Sequence, residues 1–573
     1  MKIVKLFTLT FIFNILISFN IRSQGFNENS ESTIQFIDSL ANAQYPATEP
    51  GLTLLISRNG IPLFVKSYGL SDILEQYPLT ENNVFAIGSM SKQFTAVGIL
   101  LLANEGKLNL SDNIKKYLPQ YNTHGKDITV KQCLTHSSGI LSFTEKEGFD
   151  SLFTLTLSKD KMIEFFENDD LLFEPGSDFS YSNSGYLILG MIIEKVSGMD
   201  YNQFIRKNIF EKAGMTNTYF YGEENIIPVK AIGYDGRGIS TYKETSQFFS
   251  GWTEGAGNIK SCVNDLLSWN NFLISGKLIP EDLIQEAFKP NILPGGLNSN
   301  YGYGWNVTML EDKKIIRHGG AINGFLSDAV YLPEDKIFIV ALSNNTGKSP
   351  DKLTDKIVLK ILNLNSADPD RIAYDKNSFD LYEGSYEVQR DGGRLLKNYT
   401  NDKQCRFIFV ENDSLKLQRT GGGLFTLLQY DKDKFFIESS DKRFEFVRDG
   451  DGKVSALDVS SYPVTFGLTD LCIRSDAERP KEREIITVSQ ESLKNFEGEF
   501  ELQPGFNLKI FTENGELFVQ ATGQEKLKLY AESNNKFFLK EVDAQVEFIQ
   551  DKDNSVNKLI FTQGQQMECI RIK

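Results

Sequence analysis

The tail of this chain copies itself, and that bounds its fold more tightly than any other feature. Tyr382-Glu383-Gly384-Ser385-Tyr386 returns as Phe496-Glu497-Gly498-Glu499-Phe500, 114 residues on. Lys434-Phe435-Phe436 returns as Lys536-Phe537-Phe538, and Phe444-Glu445-Phe446-Val447 as Val546-Glu547-Phe548-Ile549, both 102 residues on. Short alternating segments broken by Asp, Asn and Gly fill both copies, a period-2 pattern that suits strands. Residues 372–478 and 486–573 are therefore expected to be two copies of one small all-β unit, each a barrel whose closure removes its edge strands. Because the offset falls from 114 to 102, the first copy carries about a dozen extra residues, and the charged, glycine-rich stretch 389–404 is the expected insertion.

At 573 residues the chain exceeds what one hydrophobic core supports, and residues 30–365 have a different texture. A helical pattern at 32–44 leads into 51-GLTLLISRNGIPLFVKSYGLSD-72, two strand-like runs around Asn59-Gly60, a strong hairpin signal. Apolar residues then recur at helical spacing in 94–104, 186–197 and 263–275. Strand patterns return at 313–320, 325–332 and 336–343, and a helix follows at 351–363. Early and late strands around a helical middle predict an α/β (α+β) domain: one antiparallel sheet flanked by helices, with a helical subdomain on one side.

Lys2 and Lys5 precede an apolar run from Leu6 to Phe19, and Ile21-Arg22-Ser23 leads to Gln24. This pattern predicts a secretory signal peptide over residues 1–23, cleaved after Ser23. The run is short for a membrane span of about 20 residues, and no cysteine follows it to take a lipid. The mature protein is expected to be periplasmic or secreted, with no stable membrane insertion. Cleavage removes Lys2, Lys5 and Arg22, taking the net charge from −15 to −18. Such a charge argues against nucleic acid or an anionic membrane surface as a partner, since either needs a basic face. The five cysteines are odd in number and scattered, which is no disulfide framework. Cys133 and Cys262 lie in apolar contexts and read as buried thiols; a Cys405–Cys472 bridge stays open. Three histidines without an H-E-x-x-H or paired-cysteine pattern predict no metal site and no cofactor.

Three short stretches carry candidate chemistry. In 85-FAIGSMSKQFTAVGILLLANEGKLNLSD-112, Ser89 and Lys92 stand three apart at the mouth of an apolar helix that Gly106 is expected to end. Residues i and i+3 share a helix face, with Cβ atoms about 5–6 Å apart, so the amine reaches the hydroxyl and can take its proton. Six other Ser-x-x-Lys pairs occur in the chain, and a serine cap beside a solvated lysine gives the same spacing. In 178-DFSYSNSGYLILGMIIEKVSG-198, Tyr181 and Asn183 sit in a polar loop before an apolar helix; a turn explains them equally well. In 316-IRHGGAINGF-325, His318-Gly319-Gly320 lies on a strand, where a glycine pair marks either a bulge or a close approach to the backbone.

Taken in order, these stretches resemble the serine β-lactamase and penicillin-binding-protein superfamily, in its class C β-lactamase, esterase and D-aminopeptidase branch. Cys133-Leu134-Thr135-His136-Ser137-Ser138-Gly139 and Trp252-Thr253-Glu254-Gly255-Ala256-Gly257 add to the likeness. It spans about 30–365, and the two tail copies resemble the lipocalin-like barrels of some D-aminopeptidases.

The resemblance implies that Ser89 is the acylated nucleophile and that Lys92 helps deprotonate it. Tyr181, as a phenolate stabilised by Lys92, would share the acid–base work. Asn183 would bond the lysine and the substrate amide, and the backbone amides of Ser89 and Ala321 would hold the oxyanion. Gly319 and Gly320 would let substrate lie along the strand edge. Whether Lys92 or Tyr181 is the base stays open. His136 reads as a structural turn residue. His318 stands where the β-lactamases and transpeptidases carry a lysine, and an imidazole of pKa about 6.5 is mostly neutral at pH 7.5. The implied function is an exported, cofactor-free serine hydrolase acting on small or peptide substrates: D-amino-acid peptides, peptidoglycan fragments, amides or esters. A weak β-lactamase, a penicillin-binding protein and a retired envelope ligand-binding protein are the alternatives.

Overall fold

A computed structural model describes residues 30–572 apart from 237–241, 246–249, 297, 365–367, 375–377, 392–393, 396–403, 421–423, 463–468, 480–484, 504–505, 523–525, 541–543, 552–554 and 564. The signal-peptide stretch 1–23 lies outside the described residues. Among them, no helix is long and apolar enough to cross a membrane.

The larger domain is built on a six-stranded antiparallel sheet. Its strands are β1 (Leu52–Arg58), β2 (Ile61–Tyr68), β3 (Asn306–Leu310), β4 (Lys313–Ile322), β5 (Phe325–Leu332) and β6 (Ile337–Ser343), in the order β3-β4-β5-β6-β1-β2. The β1–β2 hairpin turns at Asn59 and Gly60, both at positive φ (52° and 77°), the left-handed pair a tight hairpin requires. Alternation along β1 and β6 divides the core. Leu52, Leu54, Ile56, Ile339 and Ala341 pack under two helices, α1 (Ser30–Gln44) and α5 (Pro350–Ile361). Leu55, Val340 and Leu342 join the opposite core under the helical subdomain.

That subdomain is centred on α2 (Ser91–Asn104), buried from Ser91 to Leu102. Gly98 lets its neighbours close in: a Cβ there would meet the Ile193 side chain at 2.9 Å. Gly106, at φ 69°, ends the helix, with its amide bonding Ala103 and the Lys107 amide bonding Leu102. Helices α3 (Asn183–Ser197) and α4 (Val263–Ile274) pack around α2.

The tail forms two sheets of matching plan. The second is a closed eight-stranded barrel running from Gly498 to Arg571. The first differs at one strand, which splits at Leu427: Leu424–Thr426 pairs with Ser414–Arg419, and Leu428–Asp431 pairs with Lys434–Phe436. Because this segment is continuous chain, it carries the ring across, with the Leu427 amide donating to the Leu415 carbonyl at 2.9 Å. Its counterpart 102 residues on is the Leu517–Leu529 pair. The repeated motifs are the barrels' fillings. Tyr382 packs at a tilt on Phe446 at 4.5 Å and Phe496 stacks on Phe548 at 4.3 Å, with Tyr386 and Phe435, or Phe500 and Phe537, completing each cluster.

All five cysteines are buried free thiols. Cys405 and Cys472 lie on strands either side of Gly384–Val388, so an intervening strand separates the pair left open above. Arg406 instead donates to the Cys472 sulfur at 3.2 Å.

Candidate active site

Ser89 is not on α2 itself. It occupies a 3₁₀ turn, Gly88–Met90, that enters the helix, with Gly88 at φ 51°. The turn is locked to the sheet from behind. Ser327 Oγ donates to the Ile87 carbonyl at 2.8 Å, and a Cβ on Gly320 would meet that same carbonyl at 2.0 Å. A Cβ on Gly88 would meet the Ala321 amide nitrogen at 2.9 Å, so the end of β4 lies directly against the serine turn. This corrects part of the role expected of the glycines. Gly320 makes room for the protein's own backbone, while the outer edge of β4 faces the cleft because β3 pairs with it only as far as Arg317.

Lys92 is fully buried in the first turn of α2. Its Nζ donates to Asn183 Oδ1 at 2.7 Å and to the Ala256 carbonyl at 2.9 Å, and lies 3.2 Å from Ser89 Oγ. Both oxygens only accept. A neutral amine has two N–H groups and one lone pair, so these partners use both hydrogens and leave the lone pair for Ser89. Burial pulls the Lys92 pKa well below the lysine range, which favours that neutral form. Asn183 is fixed in turn: its Nδ2 donates to Thr144 Oγ1 at 3.1 Å and its backbone amide to Ser142 Oγ at 3.1 Å.

Tyr181 precedes the α3 cap, Ser182, and its phenol hydrogen-bonds Ser89. Burial raises its pKa, which favours the phenol over the phenolate that the resemblance implies. His136 backs its ring at 4.2 Å between centroids and accepts from the Ser182 amide on Nδ1 at 3.0 Å. The His136 backbone is left-handed, φ 54°, as a turn residue's would be.

His318 points into the site but is spoken for. Nδ1 donates to the Gly319 carbonyl at 2.6 Å, and Nε2 accepts from the Tyr301 hydroxyl at 3.0 Å. Burial and the nearby Lys92 push its pKa down to about 3, so it is a neutral ring bound to Tyr301 and not to Tyr181. Its neighbour Arg317 faces the opposite way, into a buried ion pair with Asp328 and Asp355 under α5.

Seven of the eight expected site residues line one cleft of about 550 Å³: Ser89, Tyr181, Asn183 and the strand from His318 to Ala321. Lys92, the eighth, is buried behind Ser89. The sequence reading missed the Ala256 carbonyl, Thr144, Ser142 and Tyr301, and gave His136 no link to Tyr181. Ala256 and His136 lie inside stretches already singled out; the glycine-spaced Tyr301-Gly302-Tyr303-Gly304-Trp305 was a further signal. Behind Ala256, Glu254 pairs with Lys159 at 2.5 Å, and burial raises its carboxyl to about 7. Among the described residues, Glu194, Asp200 and Glu254 are the one carboxylate group close enough to share an ion, and Lys159 already pairs with two of them.

Comparison with known proteins agrees with this geometry. Penicillin-binding protein 4* of Bacillus subtilis (strain 168) is 25% identical over 537 residues, 91% of this chain and 95% of its own length. Protein flp of Staphylococcus aureus (strain MRSA252) is 31% identical over 55% of this chain and 63% of its own. The octameric penicillin-binding protein homologue from Pyrococcus abyssi superposes with a TM-score of 0.53 at 25% identity, covering 77% of this chain and 99% of that one. A domain of unknown function, DUF3471, matches residues 482–571, the second barrel. The Beta-lactamase family matches residues 41–363, more than half of the sequence, and the chain belongs to that family, within the serine β-lactamase and penicillin-binding-protein superfamily.

Proposed function

We propose that this family member is an exported hydrolase that forms an acyl-enzyme on Ser89 and cleaves amides or esters with uncharged acyl groups. The observation that carries this is the Lys92 amine, held by two obligate acceptors with its third direction on Ser89 Oγ. As Oγ attacks the substrate carbonyl carbon, its proton passes to Lys92 and the carbonyl π pair moves onto oxygen. The oxyanion is received by the Ser89 and Ala321 amides. On collapse, the bond to the leaving group breaks, and that group takes a proton from the Tyr181 phenol. The Lys92 ammonium, 4.8 Å from the Tyr181 ring centroid, returns that proton to the phenolate, so both groups are back in their starting states. Water then attacks the acyl carbon with its proton drawn off by the same pair, and Ser89 is regenerated.

Substrate preference follows from His318. A neutral ring saturated by Tyr301 and Gly319 offers no cation to a carboxylate. This disfavours β-lactams and favours D-amino-acid amides and peptides or short esters. The filled barrels give no support to a role as a carrier of apolar ligand. Export rests on the N-terminal pattern, and the mature chain is expected to begin at Gln24.

Hydrolysis of D- and L-aminoacyl amides, short esters and a chromogenic cephalosporin tests the substrate class, with the first and third groups expected to separate by orders of magnitude. A serine-directed phosphonate should label the protein once, at Ser89, and Ser89→Ala should abolish labelling. An adduct mapped to any other serine would sink the assignment.

A further inference from the structure

The two barrels differ by the insertion that follows the first one's opening strand, and that insertion sends an arginine into the catalytic domain. In the second barrel, strands Gly498–Gln503 and Phe506–Glu513 are two residues apart. In the first, Gly384–Val388 and Cys405–Glu411 are separated by 16, among them a short ribbon pairing Arg390 with Leu395.

Arg390 is 2% exposed. Its Nη2 donates to the Asp178 carboxylate and lies 3.5 Å from the Phe179 carbonyl. Asp458, from the barrel strand Val454–Ser461, adds its field on the barrel side. Asp178 stands three residues before Tyr181. The chain between them is gripped from the other side by His136, whose carbonyl accepts from the Ser180 amide at 2.9 Å and whose ring accepts from Ser182. The Phe179 ring packs against both His136 and Tyr301, at 5.8 and 6.0 Å. The segment 178–182 thus has two anchors, one from its own domain and one from the barrel.

We infer that Arg390 is a positioning residue for Tyr181, through which the first barrel sets the phenol's place over Ser89. An arginine this deeply buried is a costly way to glue two domains, because losing either partner strands an uncompensated charge. Its target is the backbone leading to the acid–base tyrosine, where an error near 1 Å costs a rate about 10²-fold.

The inference rests on the acyl-enzyme reading of Ser89, and the test separates the two. The full-length protein is treated with a fluorophosphonate and the rate of Ser89 modification followed by mass spectrometry. Failure of the wild type to label at Ser89 overturns the acyl-enzyme reading, and this inference with it. Given labelling, Arg390→Ala is expected to lower kcat/KM for an amide or alkyl ester, whose leaving group needs the Tyr181 proton, about 10²-fold, Arg390→Lys to recover part of the loss, and Asp178→Asn to match Arg390→Ala. In a Tyr181→Phe background, Arg390→Ala should cost nothing further, because the residue acts only through that phenol. An unchanged kcat/KM in Arg390→Ala with wild-type circular dichroism overturns the inference, as does an equal added loss in the Tyr181→Phe background. Should Arg390→Ala fail to fold, the near-isosteric Asp178→Asn carries the same comparison.

Discussion

Burial holds Lys92 below the usual lysine range, so its amine is neutral at a lower pH than a surface lysine's would be. Because the neutral amine is the base, kcat/KM for an uncharged ester should rise with pH through that lowered pKa and then stay high. His318 should leave no mark on this profile between pH 5 and 8, since its ring is already neutral above about 3. A limb near pH 7 that survives His318→Gln comes either from Lys92 itself or from Glu254, whose carboxyl ionises at about 7 two residues from the Lys92 acceptor Ala256; only a Glu254 limb should vanish in Glu254→Gln. A limb between 6 and 7 that disappears in His318→Gln would show that the imidazole does titrate and would overturn its neutral role. The residue type alone makes His318 only mostly neutral at about pH 7.5; its partners, Tyr301 and Gly319, fix the neutral tautomer.

At the scale of elements, the site is a junction between a strand end and a turn, and its tolerance is set by backbone contacts. Gly320 sits where a Cβ would lie 2.0 Å from the Ile87 carbonyl. Gly320→Ala must push β4 away from the turn that bears Ser89, an overpacking that costs about 1–3 kcal/mol. The expected outcome is a lowered Tm together with strongly slowed Ser89 labelling. A Tm and labelling rate both equal to wild type would show that the turn has slack. The elements themselves were largely legible. Helical spacing located α2, α3, α4 and α5, period-2 runs located β4, β5 and β6, and Asn59-Gly60 located the first hairpin, because each signal is local. Distant contacts left less trace. Nothing near Gly320 in sequence announces the Ile87 carbonyl, and the 3₁₀ turn at Ser89 looks like a helix start until β4 is seen against it. The glycine pair itself is plain in the sequence, but half of what approaches it is the protein's own backbone and not substrate.

At the scale of the whole molecule, the two tail copies share a filling and differ in reach. The quartets Tyr382, Tyr386, Phe435, Phe446 and Phe496, Phe500, Phe537, Phe548 occupy equivalent places, so both interiors are packed by the residues that made the repeat visible. What a repeat cannot disclose is which copy serves the catalytic domain, because that depends on where an insertion lands. The first copy contributes Arg390 to Asp178, and its Asp441 pairs with Lys352 of α5 at 3.2 Å. Lys352 and Asp441 are solvent-exposed, and a pair of that kind is worth at most about 1 kcal/mol; the buried Arg390 is the link whose loss would strand a charge. The barrels are therefore expected to be unequal under deletion. A chain ending at residue 485 should keep the Ser89 labelling rate of the full protein within a few-fold, since Arg390 and the split-strand barrel that carries it are retained. Its substrate profile, measured on the same amides and esters, should also be preserved. A chain ending at residue 365 removes Arg390 and should hydrolyse the amide or alkyl ester as slowly as Arg390→Ala. Equal losses from both deletions would assign the second barrel a role in the site that its position in the chain does not suggest, and no loss from the longer deletion would detach the barrels from catalysis altogether.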